Sequence, residues 1–326
     1  MPDYPLRDLM PMDPQIRDIQ PGGGVIIKLE LLWGYVRRAW LKTFRRGYVA
    51  RMKLLRKGDR NVCPHEVLDP RDIKFYRNQG GYYWEPQDDP FRWRDQLPFA
   101  RAGLAELFVF DALFFGYALV CAIVASRYPF ATWVKVVLWL AAATLAVIGI
   151  LITWFFRNPR RRIPEGPGVV VAPADGKVVA IDEIDHDPDI GGPAIQIGIF
   201  LSIFNVHINR VPMGVRVIGL RYRAGKFLNA LRPESARENE QVALILQETA
   251  APHRPMVVRQ ITGAIARRIV CWVKPGDQLA AGEQLGMIKL GSRTELVIPR
   301  EDGLEIVTRL GEKIQAGSTV MARYRG

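Results

Sequence analysis

The sequence predicts a β-dominated α+β protein whose strand-rich second half is preceded by a two-helix transmembrane hairpin. Two patterns carry that expectation. Between Gly103 and Ala125, and again between Thr132 and Phe156, the chain is almost wholly apolar or small, interrupted by Glu106 and Asp111 in the first stretch and by Lys135 in the second. After Arg162 the texture changes to short, β-branched runs punctuated by Gly, Pro and Asp. Of 326 residues, 49% are hydrophobic and 24% charged, a globular composition that excludes a wholly disordered or collagen-like chain.

Residues 1–102 read as a basic N-terminal extension. From Arg37 to Arg60 there are ten Lys/Arg and one acid, Asp59, interleaved with Leu, Trp, Tyr and Phe. That mixture suits a helix lying on an anionic leaflet, and equally an ordinary basic helix on a solvated face. Cys63 and His65 lie two apart without a second pair at ligand spacing, so no metal site is expected. The three cysteines, Cys63, Cys121 and Cys271, are odd in number and far apart, which argues against a disulfide framework and for a reducing compartment.

The two apolar stretches define the hairpin, residues 103–156. A helix crossing the hydrocarbon core needs about 20 such residues. The link from Ser126 to Ala131 is short and contains Pro129, which suits a tight turn between antiparallel helices. Trp133, Trp154, Phe155 and Phe156 fall at the levels where aromatic rings anchor. A second basic cluster, Arg157, Arg160, Arg161 and Arg162, follows the hairpin, so both outer ends are basic while the turn carries only Arg127. Lys/Arg excess marks the cytoplasmic side. Both termini are therefore expected in the cytoplasm, with the chain in the cytoplasmic (inner) membrane. The net charge of +12 implies an anionic partner, and its placement around an apolar hairpin favours a lipid surface.

Residues 157–326 are expected to form the β domain, with strands at 168–172, 177–184, 194–204, 215–223, 242–248, 256–261, 264–273, 285–289, 294–298, 304–309 and 319–324. No Gly-rich nucleotide loop, nucleophile elbow or zincin helix occurs, so those enzyme classes have no support. The stretch from Val273 to Gly286 has the turn-strand texture of lipoyl/biotinyl-like, barrel-sandwich domains. A carrier needs an exposed Lys at a hairpin tip, whereas Lys289 runs into Leu290-Gly291-Ser292-Arg293. What remains is a Gly-Ser bond between two β runs.

That bond has companions in a fixed order: Phe155-Phe156-Arg157-Asn158-Pro159, Pro173-Ala174-Asp175-Gly176, Val206-His207-Ile208-Asn209-Arg210-Val211-Pro212, Tyr222 with Gly225-Lys226-Phe227, Glu238-Asn239-Glu240, and Gly291-Ser292-Arg293. In this order and spacing the chain resembles the phosphatidylserine decarboxylase family in its shorter, membrane-associated form, from about Phe155 to the C-terminus. The resemblance implies a proenzyme that cuts itself between Gly291 and Ser292. A Ser hydroxyl attacks the carbonyl before it, the amide becomes an ester, and elimination then leaves a pyruvoyl group, a covalent cofactor derived from Ser292. Gly291 suits the strained turn. The ketone forms an imine with the substrate amine and accepts the electrons released with CO2, turning phosphatidylserine into phosphatidylethanolamine.

The resemblance also implies His207 and Asp175 as proton-handling groups, and Arg210, Asn209, Lys226 and Asn239 as substrate-binding residues. Two departures stand out. Longer members carry a second His three residues after the position of His207, where this chain has Arg210; and Leu290 stands where an aromatic is common. Two assignments of the self-cleavage machinery are therefore open: His207 serving both steps, or Arg210 stabilising an oxyanion or the substrate phosphate while Asp175 works on the Ser directly. Expected partners are an anionic phospholipid substrate and the membrane, with a homodimer by analogy and no nucleic acid. The alternatives are a decarboxylase of another serine-headed lipid, archaetidylserine-like, and a non-catalytic membrane-anchored adaptor with a lipoyl-like domain. Sustained heptads, typical of adaptors, are absent from the sequence, as is a nucleic-acid recognition motif.

Overall fold

A computed structural model describes residues 4–58, 65–76, 81–264, 268–289 and 291–325; the side chain of Ile26 also lies outside the description. Cys63, Arg60 and Leu290 fall outside these ranges. The chain forms two compact units, Met1–Arg92 with Arg161–Gly326, and Trp93–Arg160. The N-terminal residues, expected as a separate extension, are thus counted with the β-rich part.

The first unit begins with helices α1 (Val25–Phe44), α2 (Arg46–Leu55) and α3 (Pro70–Tyr76). Its strands are β1 (Val169–Val171), β2 (Gly176–Asp187), β3 (Gly192–Leu201), β4 (Ile208–Arg210) and β5 (Val215–Arg223), then β6 (Gln241–Glu248), β7 (Pro255–Ile261), β8 (Arg268–Cys271), β9 (Gln278–Leu279) and β10 (Gln284–Lys289). Strands β11 (Ser292–Pro299), β12 (Leu304–Ile306), β13 (Lys313–Ile314) and β14 (Val320–Tyr324) complete it. They make an eight-stranded antiparallel sheet, β13-β2-β3-β11-β7-β6-β5-β9, and two three-stranded sheets, β1-β14-β12 and β4-β10-β8. All eleven expected runs coincide with strands; β4, β9 and β13, two or three residues long, were not anticipated.

Period-two alternation gives β11 two different faces. Leu296 and Ile298 enter the main core with Ile197, Ile199 and Leu201 of β3 and Val258 of β7. Val297, on the other face, joins a second cluster with Ala194, Ala243 and Val257. On that second face Arg293 pairs with Glu295 at 2.9 Å, and Arg259 of β7 pairs with Asp187 of β2 at 3.0 Å, so the charges buried there are matched.

Residues 4–20 strap this core rather than standing apart. Ile16, 1% exposed, is part of the main cluster. Met10 N–H donates to the Ile218 carbonyl at 2.9 Å, Asp13 Oδ2 accepts from Tyr222 N–H at 2.8 Å, and the Ile19 carbonyl accepts from Cys271 N–H at 2.8 Å.

The basic segment differs from its expected form in two ways. It is two helices broken at Arg45, and not all of its charge is available to lipid or water. Arg37 and Arg38, each 7% exposed, are buried against Asp69 and Asp72, Arg38 reaching Asp72 at 3.0 Å. Sequence offered only a run of cations, because the acids that neutralise two of them lie some thirty residues downstream.

In the second unit, α4 (Leu104–Arg127) and α5 (Thr132–Phe155) are antiparallel helices of 24 residues each. Both are long and apolar enough to cross a membrane, with mean hydropathies of 2.4 and 2.5 over their most apolar windows. A Cβ at Gly149 would run into the Phe115 ring, so that ring packs into the notch the glycine leaves on the facing helix. Thr153 Oγ1 donates to Asp111 Oδ2 at 2.9 Å, giving one carboxylate oxygen a partner on the facing helix.

Ile16→Ala should lower stability by about 2–5 kcal/mol, the usual range for emptying a buried Ile site. A reduced melting temperature in detergent checks it, and an unchanged one would show that the N-terminal strap is not integral to the core.

Candidate active site

The Gly291–Ser292 bond lies where β10 ends and β11 begins. Gly291 has φ +61°, a left-handed conformation that disfavours any side chain. Ser292 is the first residue of a central strand, opposite Leu201, so its hydroxyl falls on the same face as Leu296 and Ile298. It is fully buried, and its Oγ has no hydrogen-bond partner among the described residues. An orphaned buried hydroxyl costs about 1–3 kcal/mol. Such an atom in the middle of an otherwise well-paired sheet calls for a chemical reason.

His207, 1% exposed, precedes β4 and reaches this turn. Its Nδ1 lies 2.9 Å from the Asn205 carbonyl oxygen, which can only accept, so Nδ1 carries the proton. Nε2 is then a lone pair, and it accepts the Gly291 N–H at 3.0 Å. The geometry therefore fixes the tautomer and aims the basic nitrogen at Gly291.

Gly263, two residues beyond the end of β7, supplies the other wall. A Cβ there would collide with the Gly291 carbonyl oxygen, so that oxygen is seated against bare Cα. The segment is held from below: Asn239 Nδ2 donates to the Thr262 carbonyl at 2.7 Å and to the Leu228 carbonyl at 2.9 Å, and Thr262 N–H donates to the Glu240 carbonyl at 3.0 Å.

Alongside Ser292 on the same strand face, Thr294 Oγ1 accepts from Asn209 Nδ2 at 2.9 Å, and Asn209 Oδ1 accepts from Gln260 Nε2 at 2.9 Å. Thr294 and Gln260 are directly paired across β11 and β7. Gln260 is fully buried, and its Oε1 is also without a partner among the described residues.

Asp175 occupies the turn before β2. It accepts both from Arg161 Nη2, at 2.9 and 2.7 Å, and from the Ala316 N–H at 2.8 Å. The same turn touches β4, since Arg210 N–H donates to the Pro173 carbonyl at 2.9 Å. Arg210 Nη1 donates to the Gly282 carbonyl at 2.7 Å. Burial first, and then the nearby Arg161, pull the Arg210 guanidinium below its ordinary pKa, with Asp175 opposing. Arg161 thus pairs directly with Asp175, whose charge also reaches the buried Arg210 guanidinium.

Of the residues singled out in sequence, Gly291, Ser292 and His207 converge directly, and Asn209 joins through Thr294. Asp175 and Arg210 form a neighbouring cluster on the Pro173 turn. Asn239 is a buried brace under the Thr262–Gly263 segment. Lys226 is exposed and pairs with Glu238 at 2.7 Å.

Arg161 was counted with the juxtamembrane basic cluster; its side chain is instead 9% exposed and committed to Asp175. Gly263, Gln260 and Thr294 carried no sequence signal, because only strand register brings them to the Gly-Ser bond.

The chain is similar to known proteins over much of its length. A family model described as phosphatidylserine decarboxylase matches residues 148–322, more than half the chain. The chain belongs to the phosphatidylserine decarboxylase family. Its similarity to the phosphatidylserine decarboxylase proenzyme of Rhodopirellula baltica is 54% identity over 253 residues, 78% of this chain and 99% of that protein. That alignment is longer than everything after residue 148, so it reaches well into the upstream region. Proenzymes of the same name from Carboxydothermus hydrogenoformans (44% identity, 54% of this chain and 81% of the relative) and Syntrophus aciditrophicus (40%, 57% and 85%) are also similar. A proenzyme is a chain that must be processed, which suits a family whose member here carries a buried, unpaired Ser beside a left-handed Gly.

Arg161→Met should destabilise the protein by about 3–5 kcal/mol, because it removes the cation directly paired with a buried carboxylate. The double variant Arg161→Met with Asp175→Asn should recover part of that loss. Thermal melting of the two variants checks both expectations.

Proposed function

We propose that this protein is a self-processing phosphatidylserine decarboxylase that makes phosphatidylethanolamine at a membrane, using a pyruvoyl group derived from Ser292. The observation that carries the reading is the buried, partnerless Ser292 Oγ next to a Gly291 carbonyl seated against Gly263.

In the proposed processing reaction, Ser292 Oγ adds to the Gly291 carbonyl carbon and the Gly291–Ser292 C–N bond breaks, leaving an ester and a free amine on residue 292. Loss of the Ser292 Cα proton then breaks the Cβ–O bond and releases Gly291 as a carboxylate. The dehydroalanine left on residue 292 takes up water, loses ammonia and ends as the pyruvoyl. The residues fit this sequence. Gly291 tolerates the bend, Gly263 leaves room for the carbonyl oxygen, and the strand pairing of β11 to β3 and β7 holds residues 292–326 in place after the cut. A pyruvoyl ketone supplies an electron sink for decarboxylating an amine-bearing substrate.

In this reading His207 acts after cleavage. Before cleavage the Gly291 N–H occupies Nε2. Afterwards Gly291 is a chain end, free to withdraw and bare Nε2 for proton transfer at the substrate carbon, while the Asn205 carbonyl keeps Nδ1 protonated. Arg210, beside the Arg161–Asp175 pair, is the proposed contact for the anionic phospholipid head group. Asn209, held by Thr294 and Gln260, and Lys226 and Asn239 on the 226–239 segment complete the proposed substrate-binding set.

We read α4 and α5 as the membrane anchor, both termini on the cytoplasmic side, with the cytoplasmic membrane as the location. The three antiparallel sheets support a barrel-sandwich-like description of the catalytic unit.

Intact mass measurement of purified protein should show two chains, 1–291 and 292–326, the second beginning with a pyruvoyl group. Ser292→Ala should remain a single chain and form no phosphatidylethanolamine from phosphatidylserine. Full turnover by an unbroken chain would overturn the reading.

Gly263→Ala offers a separate expectation: chain cutting slows at least about tenfold, equivalent to about 1.4 kcal/mol of added barrier from crowding at the Gly291 carbonyl. The fraction already cut should turn over normally, because the Gly291 carbonyl has left. Time courses of cleavage and of turnover per pyruvoyl check it.

A further inference from the structure

The walls of the Gly291–Ser292 site end in two surface loops whose outermost side chains the proposed chemistry does not use. One is the turn between β3 and β4, residues 202–206, tied by Asn205 Oδ1 accepting from Ser202 N–H at 2.9 Å and from Ser202 Oγ at 2.7 Å. The other is the turn at 229–234, between β5 and β6, whose Asn229 Oδ1 accepts from the Leu231 N–H at 3.0 Å.

One turn lies near Gly291 and the other near Gly263. The position a Cβ would take on Gly291 lies 3.8 Å from Ile203 Cγ2, and that on Gly263, already against the Gly291 carbonyl, lies 3.3 Å from Ala230 Cβ. Each loop then turns its next side chain outward: Phe204 is 59% exposed and Leu231 55%. Two large apolar side chains held outward on hydrogen-bonded turns near the candidate reaction centre offer an apolar surface to a partner. Arg232, which follows Leu231 in the chain, and Arg237 are both exposed.

We propose that Phe204 and Leu231 are the tips of a bilayer-docking surface through which the catalytic unit seats its site on an anionic leaflet. The apolar tips enter the acyl boundary, and Arg232 and Arg237 meet the phosphate layer. This surface rests on the decarboxylase reading, because a substrate with two acyl chains must pass from a bilayer to a buried residue. It is distinct from the hairpin, which anchors the chain but says nothing about which face of the β unit meets lipid.

The test uses the full-length protein reconstituted in phosphatidylcholine vesicles containing phosphatidylserine, and compares turnover there with turnover of a short-chain, monomerically soluble phosphatidylserine. The variants are Phe204→Ser with Leu231→Ser, and separately Arg232→Glu with Arg237→Glu. The expected result is complete self-cleavage, unchanged turnover of the soluble lipid, and a fall of about tenfold in turnover at limiting surface density of the bilayer substrate.

Unchanged vesicle turnover in both variants would overturn the docking surface. So would equal loss on both substrates, or failure to self-cleave, since either places these side chains in the chemistry or the fold. Wild-type protein that turns over neither lipid would sink the decarboxylase reading itself, a failure separable from the others by the absence of any baseline.

Discussion

The site depends on holding a polar atom where the fold gives it nothing to bond. Ser292 Oγ sits on the core-facing side of a strand whose next inward residues, after Thr294, are Leu296 and Ile298. Its position is dictated by register. β11 is paired along its whole length with β3 and along most of it with β7, so the hydroxyl cannot swing to water without breaking a central ladder. The left-handed Gly291 and the missing Cβ of Gly263 are consequences of the same requirement: a backbone carbonyl has to be presented in a tightly packed wall. Packing at crystal-like density leaves little freedom for the reacting atoms, which is what a self-directed reaction needs.

Around that atom the polar groups are sorted into two sets with different physics. Asn209, Gln260 and Thr294 are neutral, fully buried and linked in a chain, and they fix orientation at little electrostatic cost. Arg161, Asp175 and Arg210 are charged: Arg161 pairs directly with Asp175, whose carboxylate also acts on the Arg210 guanidinium. The neutral set thus lies next to Ser292 and the charged set on the neighbouring turn.

The fold was largely legible in sequence because its strands are short, β-branched and bounded by Gly, Pro and Asp, and because α4 and α5 are long apolar runs. What escaped was whatever depends on long-range pairing. β4 is three residues inside the Val206–Pro212 motif, too short to show a period, yet it carries Asn209 and Arg210. Arg161 looked like one more juxtamembrane cation, since its carboxylate partner lies fourteen residues away across a turn. Arg37 and Arg38 were similarly indistinguishable from the other basic residues of their run until Asp69 and Asp72 folded against them. Ser292, Gly291 and His207 were found through the order of short motifs and not through any property of the residues alone. The hydrogen bond from Gly291 N–H to His207 Nε2 is a relation between side chain and backbone that no linear pattern encodes.

The same bond constrains the order of events. A lone pair engaged by an amide proton is a poorer base than a bare one, so His207 is muted for as long as Gly291 remains in its turn. If residue 292 keeps its place in β11 while residue 291 becomes a mobile carboxylate terminus, the single change that creates the reactive group also releases the nitrogen beside it. A precursor arranged this way has no need of a second switch to keep its proton-transfer group quiet. It also accommodates Arg210 at the position where longer relatives carry a further His: one imidazole, first occupied and then exposed, covers the turnover step, and the guanidinium is left to the charge of the substrate.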